Sequence, residues 1–118
     1  MKISRDKYWE AVNSHFDLWN WLAEDGYRTK DQYFEEEYAG EYYLPNNCFA
    51  CKLAQDLTST GEDRCDNCPI TDKYDRLCVN GLWEVYRELE NPRHRALIAG
   101  AIRDLPWDKN DILDKIED

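Results

Sequence analysis

The stretch NNCFACKLAQDLTSTGEDRCDNCPI, residues 46–70, contains four of the five cysteines in a chain of 118 residues. They form two Cys-x-x-Cys pairs, Cys48 with Cys51 and Cys65 with Cys68, and thirteen residues separate the pairs. Two residues between cysteines let both sulfurs reach one ion, and a loop of about a dozen residues lets the second pair complete a tetrahedron around it. The spacing therefore predicts a structural Zn²⁺ site with these four cysteines as its ligands.

Three other uses of paired cysteines compete with zinc. Disulfides would leave one of the five cysteines over. The opening residues, MKISRDKYWEAV, also lack the apolar core of an export signal, so we expect a reducing compartment, where close cysteines more often hold metal. An iron–sulfur cluster accepts four cysteines, but its usual spacings are tighter and more sequential. A dithiol redox site needs its Cys-x-x-Cys at a helix start after a strand, and no strand-like run precedes either pair.

The fifth cysteine, Cys78, follows the second pair by ten residues. It can be a small buried hydrophobic residue, the commonest role of a free cysteine, or it can replace one of the four as a metal ligand. Neither pair carries the glycine that often follows the second cysteine of a zinc knuckle, and Pro69 removes an N–H after the second pair. These two departures predict an irregular local geometry.

Charge and composition narrow the class of partner. The net charge is −10, from 15 basic and 25 acidic residues, and zinc held by four thiolates would add about −2. Phosphate binding needs clustered lysine and arginine, so direct binding to nucleic acid is disfavoured and a basic protein surface is the favoured partner. No run of 18 apolar residues occurs, so we expect no membrane span. An aromatic content of 14% argues against disorder.

Helical periodicity predicts a mainly α protein, one small domain of four to five helices over residues 1–118. N-terminal helices are expected within 1–45, the zinc-binding segment at 46–78, and C-terminal helices within 79–118, so that the zinc-binding loop with its four cysteines connects two helical pairs. No segment alternates with period two for long enough to predict a strand. The chain is expected to end in a short helix that carries Ile112, Leu113 and Ile116.

Capping residues predict where the helices begin and end. We expect N-caps at Ser4 and at Thr29, where Gln32 completes the spacing of a capping box, and the second helix is expected to end near residue 39. Asn91, with the proline that follows it, predicts the start of another helix. Gly26 is expected just past the end of the first helix.

The expected core joins three apolar stripes at helical spacing. The stripe of the first helix is Tyr8, Val12, Phe16 and Trp19. It is expected to pack against Leu82–Val85–Leu89 and against Leu97–Ala101–Leu105. The two histidines, His15 and His94, are interpreted as structural or exposed side chains and not as catalytic bases.

The order of several short motifs resembles that of a family of small cysteine-rich proteins encoded by tailed phages and prophages. The motifs are WNWLAEDGYRTKDQYFEEEY (19–38), NNCFACKLA (46–54), CDNCPI (65–70), then Cys78, and AGAIRDLPW (99–107). Members of that family are known only as hypothetical or zinc-binding proteins. The resemblance implies a viral origin, a location in the host bacterial cytoplasm and metal binding, but it implies no activity. The resemblance includes all five cysteines, so it does not decide which four of them bind metal.

We expect no catalytic residues in this chain. Four cysteines close a zinc site, whereas a catalytic zinc keeps one position open. The sequence has no HExxH, no GxSxG and no glycine-rich phosphate loop. The protein is therefore interpreted as a non-enzyme, although Cys78 as a free nucleophile is a weaker alternative.

The hypothesis for function is an interaction protein that binds, and inhibits or modulates, a host protein such as a defence or nucleic-acid-processing factor. An acidic and aromatic surface is expected to make the contact, because aromatic side chains are common anchors of interfaces. Its expected residues are Trp21, Glu35, Glu36, Glu37, Tyr42 and Tyr43. The alternative is a small zinc-containing regulator that binds nucleic acid. That alternative needs a basic patch on one face, formed by Arg87, Arg93, Arg95 and Arg103.

Overall fold

The computed structural model describes residues 2–38, 48–59, 61, 63–71 and 82–117. Within these ranges the helices are α1 (Arg5–Glu24), α2 (Lys30–Tyr38), α3 (Phe49–Asp56), α4 (Leu82–Glu88) and α5 (Pro92–Arg103). Two 3₁₀ helices span Arg64–Asn67 and Ile112–Lys115, and two strands, β1 and β2, span Ile3–Ser4 and Ile116–Glu117. The predicted fold class, a small mainly helical domain, is confirmed.

The helix starts that the capping residues predicted are confirmed. The Ser4 hydroxyl accepts a hydrogen bond from the backbone amide three residues later, at 3.2 Å. Thr29 and Gln32 exchange two hydrogen bonds of 2.8 and 3.2 Å, which completes the capping box of α2. The Asn91 side chain accepts from two backbone amides in the first turn of α5. The predicted end of the second helix, near residue 39, lies outside the described residues.

Helix α1 packs against α2, α3 and α5, with its longest contact along α5. Its buried side chains are Tyr8, His15, Leu18, Trp19 and Leu22. The predicted stripe is therefore correct at Tyr8 and Trp19 but wrong at Phe16, which is 46% exposed. The buried face of α1 includes His15 in place of Phe16. The ring nitrogen Nε2 of His15 donates a hydrogen bond to a backbone carbonyl of α5 at 3.0 Å. This bond satisfies one of the two ring nitrogens of a side chain that is 2% exposed, whereas its buried Nδ1 has no hydrogen-bond partner among the described residues.

The apolar stripes predicted for α4 and α5 are also partly wrong. In α5 the buried residues are Ala99 and Ile102, whereas Leu97 is 68% exposed and Ala101 is exposed. In α4 the buried residue is Tyr86 and not its neighbour Val85. The larger Tyr86 ring packs edge-on against Trp19 of α1, with the ring centroids 5.2 Å apart. Aromatic area therefore decides which face of α4 is buried.

The chain ends differ from the prediction. Residues 112–115 form a single 3₁₀ turn, and Ile116 belongs to β2 and not to a helix. β1 and β2 pair in parallel, with Ile3 opposite Ile116. Strands of two residues are too short to show an alternating pattern, which is why the sequence does not reveal them.

In the described ranges, no helix is long and apolar enough to cross a membrane.

Candidate functional site

The first cysteine pair lies at the start of α3. Cys48 is the residue immediately before the helix and Cys51 lies in its first turn. Burial of Phe49, Ala50, Leu53 and Ala54 holds this short helix against the core. A hydrogen bond between the Cys48 and Cys51 thiols lowers the pKa of Cys48 to about 6, because it outweighs burial, and the charge of Lys30 acts in the same direction.

The second pair is built around the 3₁₀ helix Arg64–Asn67, which contains Cys65 and leads into Cys68. The Asp63 carboxylate accepts a hydrogen bond from the Cys65 backbone N–H at 2.9 Å, and the Cys68 N–H donates to the Cys65 carbonyl at 3.3 Å. Cys68 is buried, and burial raises the pKa of its thiol. The irregular geometry expected of this pair is thus one 3₁₀ turn.

Asn67 fastens the second pair to the end of α3. Its side-chain amide donates to the Thr58 hydroxyl at 3.0 Å and to the Leu57 carbonyl at 3.4 Å. Its oxygen accepts from the Lys115 ammonium at 2.7 Å, which ties the same point to the C-terminal segment. The two cysteine-bearing elements therefore pack against each other, and the segment predicted as a zinc-binding loop contains helix α3.

Asn110 supports the second pair from the C-terminal segment. Its amide nitrogen donates to the carbonyls of Cys68 at 2.7 Å, Thr71 at 2.8 Å and Cys65 at 3.4 Å. The residue has a positive φ of 56°, a conformation that asparagine tolerates better than most residues. Backbone carbonyls around the cysteines are thus fixed by a side chain about 40 residues away.

The cysteine sulfurs of the two pairs are the kind of ligand that suits a metal ion with a preference for sulfur. The four described cysteines are free thiols, and no three His, Cys, Asp or Glu side chains of the described residues are close enough together to hold a metal in this arrangement. Cys48 and Cys51 are in contact, and Cys68 is near enough to Cys48 for the charge of Cys48 to raise the pKa of Cys68. Thiolates are the ligands that structural Zn²⁺ prefers, and their sulfurs would have to converge further to form a tetrahedron. Cys78, the possible substitute ligand, lies outside the described residues.

A second candidate site is a groove between α1 and α2, with a volume of about 280 Å³. We call it the acidic groove, and its lining residues are Asp17, Asn20, Trp21, Glu24, Tyr33 and Glu37. The Trp21 ring packs against Tyr33, with 5.6 Å between centroids, and the Arg28 guanidinium covers Trp21 at 4.5 Å. Three carboxylates therefore surround this aromatic pair, and one of them, Glu24, is paired with the same Arg28 at 3.1 Å.

The acidic groove contains part of the predicted contact surface. Trp21 and Glu37 line it, whereas Glu35 and Glu36 are exposed on α2 outside its lining. Tyr42 and Tyr43 lie outside the described residues. Sequence reasoning missed Asp17, Glu24 and Tyr33. The spacing of Asp17, Trp21 and Glu24 at i, i+4 and i+7 was an available signal, because it places them on one face of α1.

The four arginines of the alternative hypothesis do not act together. Arg87 and Arg95 line one cleft between α4 and α5, and Arg93 is exposed outside its lining. Arg103 is bonded to the Asp104 carboxylate at 2.8 Å and to the Asn20 side chain at 3.0 Å.

The two histidines occupy different environments. His94 is exposed in the first turn of α5. Burial lowers the pKa of His15 to about 4, although the hydrogen bond to the Ile102 carbonyl opposes that shift. The imidazole of His15 is therefore neutral at pH 7, and its ring packs edge-on against Trp107 with 5.2 Å between centroids. These contacts give His15 a structural position in the core.

No protein-family model, curated protein or solved structure matches the chain. Its function therefore has to be inferred from its own residues.

Proposed function

We propose that this chain is a small zinc-binding interaction protein of a tailed phage, and that the acidic groove binds a basic surface of a host protein. The zinc would be structural, held by Cys48, Cys51, Cys65 and Cys68, and would take no part in a reaction. The groove would supply the recognition. Binding would inhibit or modulate the host protein, for example a defence or nucleic-acid-processing factor whose basic site normally accepts nucleic acid.

The observation that carries this proposal is the composition of the acidic groove. Asp17, Glu24 and Glu37 place three carboxylates around the rings of Trp21 and Tyr33. A lysine or arginine side chain of a partner could pair with a carboxylate at its charged end and pack its methylenes on an aromatic ring. The net charge of −10 would also steer a basic partner toward the chain from beyond contact distance.

The metal site has a supporting role in this proposal. Side-chain hydrogen bonds of Asn67 join the second cysteine pair to the residues that follow α3, and those of Asn110 join it to the C-terminal segment. Zinc would supply thiolate bonds that join α3 directly to the 3₁₀ helix Arg64–Asn67. Because α3 packs on α1, and α1 forms one wall of the acidic groove, zinc would help to keep that wall in place.

The alternative, a nucleic-acid-binding regulator, receives less support. Arg87 and Arg95 share a cleft, but Arg103 is paired with Asp104 and Arg93 lies outside the cleft lining. Two clustered arginines on a chain of net charge −10 fall short of the basic stripe that phosphate-backbone binding uses.

The test is affinity capture of partners from bacterial lysate, followed by mass spectrometry at two salt concentrations. The bait is the wild-type chain, and the comparison bait carries Glu35→Lys, Glu36→Lys and Glu37→Lys. We expect the wild type to recover a basic protein that high salt releases, and the charge-reversed bait to lose it. Recovery of the same partner by both baits at both salt concentrations would contradict the proposal. A gel shift with short DNA and RNA duplexes at low salt tests the alternative.

A further inference from the structure

A cleft of about 270 Å³ lies between the start of α2 and helices α4 and α5, and it differs in charge from the rest of the protein. Four charged side chains line it, Lys30, Asp31, Arg87 and Arg95, beside Trp83 and Tyr86. We call it the cationic cleft. Three positive charges against one negative leave its lining at +2, although the chain as a whole carries −10.

Arg95 is held in the cationic cleft by an aromatic ring and not by a carboxylate. Its guanidinium carbon lies 4.8 Å from the centroid of the Tyr86 ring, and its Nη2 donates to the Tyr86 hydroxyl at 3.2 Å. No carboxylate of the described residues forms an ion pair with Arg95 within 4 Å, and its buried Nε has no hydrogen-bond partner among those residues. Because Nε is buried, a bound oxyanion would be bidentate on the two terminal nitrogens, Nη1 and Nη2, of a guanidinium that the fold holds in place.

The other two cations of the cleft are also positioned by the fold. The Lys30 ammonium lies 4.2 Å from the centroid of the Trp83 ring and 5.3 Å from that of Trp19, and Lys30 is 9% exposed. Arg87 pairs with Glu84 of its own helix at 3.0 Å. Both members of that pair are exposed, and exposed pairs are weak, so Arg87 can turn toward a bound anion at little cost.

We propose that the cationic cleft binds a small phosphate monoester, such as a nucleoside monophosphate, with the phosphate on Arg95. A phosphate monoester carries a charge of about −1.5 to −2 at pH 7, which matches a lining of +2 better than the single charge of a carboxylate does. A free small molecule is favoured over nucleic acid, because the net charge of −10 on the whole chain repels a polyanion. The Trp83 ring already contacts the Lys30 ammonium and the stacked Tyr86 ring, so the phosphate and not base stacking provides the recognition. This site is separate from the acidic groove.

The test is a titration of the full-length protein with adenosine monophosphate, inorganic phosphate and adenosine, followed by nuclear magnetic resonance. We expect the monophosphate to shift the Trp83 indole and the Arg95 Nε resonances saturably. Inorganic phosphate should shift Arg95 more weakly, and adenosine should shift neither. Equal shifts with adenosine, or no saturable shift up to about 10 mM monophosphate, would overturn the proposal.

Three substitutions test which arginines form the phosphate-binding site. Arg95→Gln is expected to weaken monophosphate binding about tenfold or more, because it removes a charge-assisted hydrogen-bond donor. Arg93→Gln is the matched control on the same helix and should leave binding unchanged. Arg87→Gln lies on an exposed face of α4, where it does not endanger folding, and it should weaken binding several-fold. Thermal unfolding of each variant checks that the fold persists.

Equal weakening by Arg93→Gln and Arg95→Gln would overturn the assignment to the cleft. Tighter binding of a phosphoserine peptide or of an oligonucleotide than of the monophosphate would overturn the assignment to a small molecule. Because the acidic groove is not involved, loss of partner capture by groove variants would not alter these results.

Discussion

The Asn110 side-chain amide donates a hydrogen bond to the Cys68 backbone carbonyl at 2.7 Å, across 42 residues of sequence. The same nitrogen bonds the carbonyls of Thr71 and Cys65, so a single side chain fixes the backbone around the second cysteine pair. Asn110 and its neighbour Asp111 both have positive φ, but the Asp111 side chain does not cap the 3₁₀ helix that follows it.

Asn110→Gly should destabilise the fold by about 2–3 kcal/mol, because the carbonyls of Cys68 and Thr71 lose the Asn110 donor while the positive φ remains accessible; the Cys65 carbonyl keeps the Cys68 N–H. Asp111→Gly is the matched control. It retains the same backbone conformation, removes no cap and should change the free energy of unfolding by less than about 1 kcal/mol. Urea unfolding of both variants measures the difference, and equal stabilities would show that the Asn110 hydrogen bonds do not hold the loop.

Metal content and thiol substitutions test the cysteine site. Purified protein is expected to contain about one equivalent of zinc, and Cys48→Ser or Cys51→Ser should lose it, because each removes one of four thiolates. Chelation should lower the thermal midpoint of unfolding. Cys78→Ser is the control and should retain the metal. If Cys51→Ser retains zinc and Cys78→Ser loses it, the fourth ligand is Cys78 and not Cys51. Disulfides in place of metal would contradict the zinc site altogether.

The features that the sequence predicted correctly depend on neighbours along the chain. The caps at Ser4, Thr29 and Asn91 act within one helical turn, so a short stretch of sequence specifies them.

The features that it missed depend on distant parts of the chain. α1 has aromatic residues on more than one side, so its buried face is decided by where α5 packs and not by its own periodicity. This is why Phe16 is exposed and His15 is buried, the reverse of the expectation from hydrophobicity. The pairing of Ile3 with Ile116 and the support of Cys68 by Asn110 have no local sequence signal.

Two glycines at helices should respond in opposite directions to the same substitution. A β-carbon added at Gly26 would overlap the backbone of Pro92, where the end of α1 meets the start of α5. A β-carbon at Gly100, inside α5, would meet nothing closer than the Arg103 guanidinium at 3.8 Å. We expect Gly26→Ala to destabilise by about 2–4 kcal/mol, as overpacking against backbone does, and Gly100→Ala to stabilise by about 0.5–1 kcal/mol through its helix propensity. Chemical denaturation measures both, and a neutral Gly26→Ala would mean that the contact with Pro92 relaxes freely.

The buried imidazole of His15 predicts a loss of stability in mild acid. Its pKa is lowered to about 4, from 6.5 in an unfolded chain, so between these values the unfolded chain binds more protons than the folded one. Stability should therefore fall as the pH drops from about 6.5 to 4, with up to about 3 kcal/mol attributable to this residue. His15→Gln can still donate to the Ile102 carbonyl but does not titrate, and it should remove that part of the fall. His94→Gln, at the exposed histidine, is the control and should retain it. Urea unfolding at pH 7 and pH 4.5 provides the measurement, and the same fall in His15→Gln as in the wild type would assign the acid sensitivity to other groups.

Partner binding should depend on the carboxylates of the acidic groove more than on the other glutamates of α2. Glu37 lines the groove with Asp17 and Glu24, whereas Glu35 and Glu36 are exposed outside its lining. We expect the triple variant Asp17→Asn, Glu24→Gln, Glu37→Gln to weaken the captured partner about tenfold or more, mainly by faster dissociation, because it removes direct partners of basic side chains.

The control variant Glu35→Gln, Glu36→Gln should slow association only slightly, since it changes long-range attraction and no contact. Its effect should disappear at about 1 M salt, where charges farther apart than about 3 Å are screened. Surface plasmon resonance at low and high salt separates the two rate constants. If both variants change only the association rate and by the same factor, the carboxylates act through net charge alone, and the groove is not the contact surface.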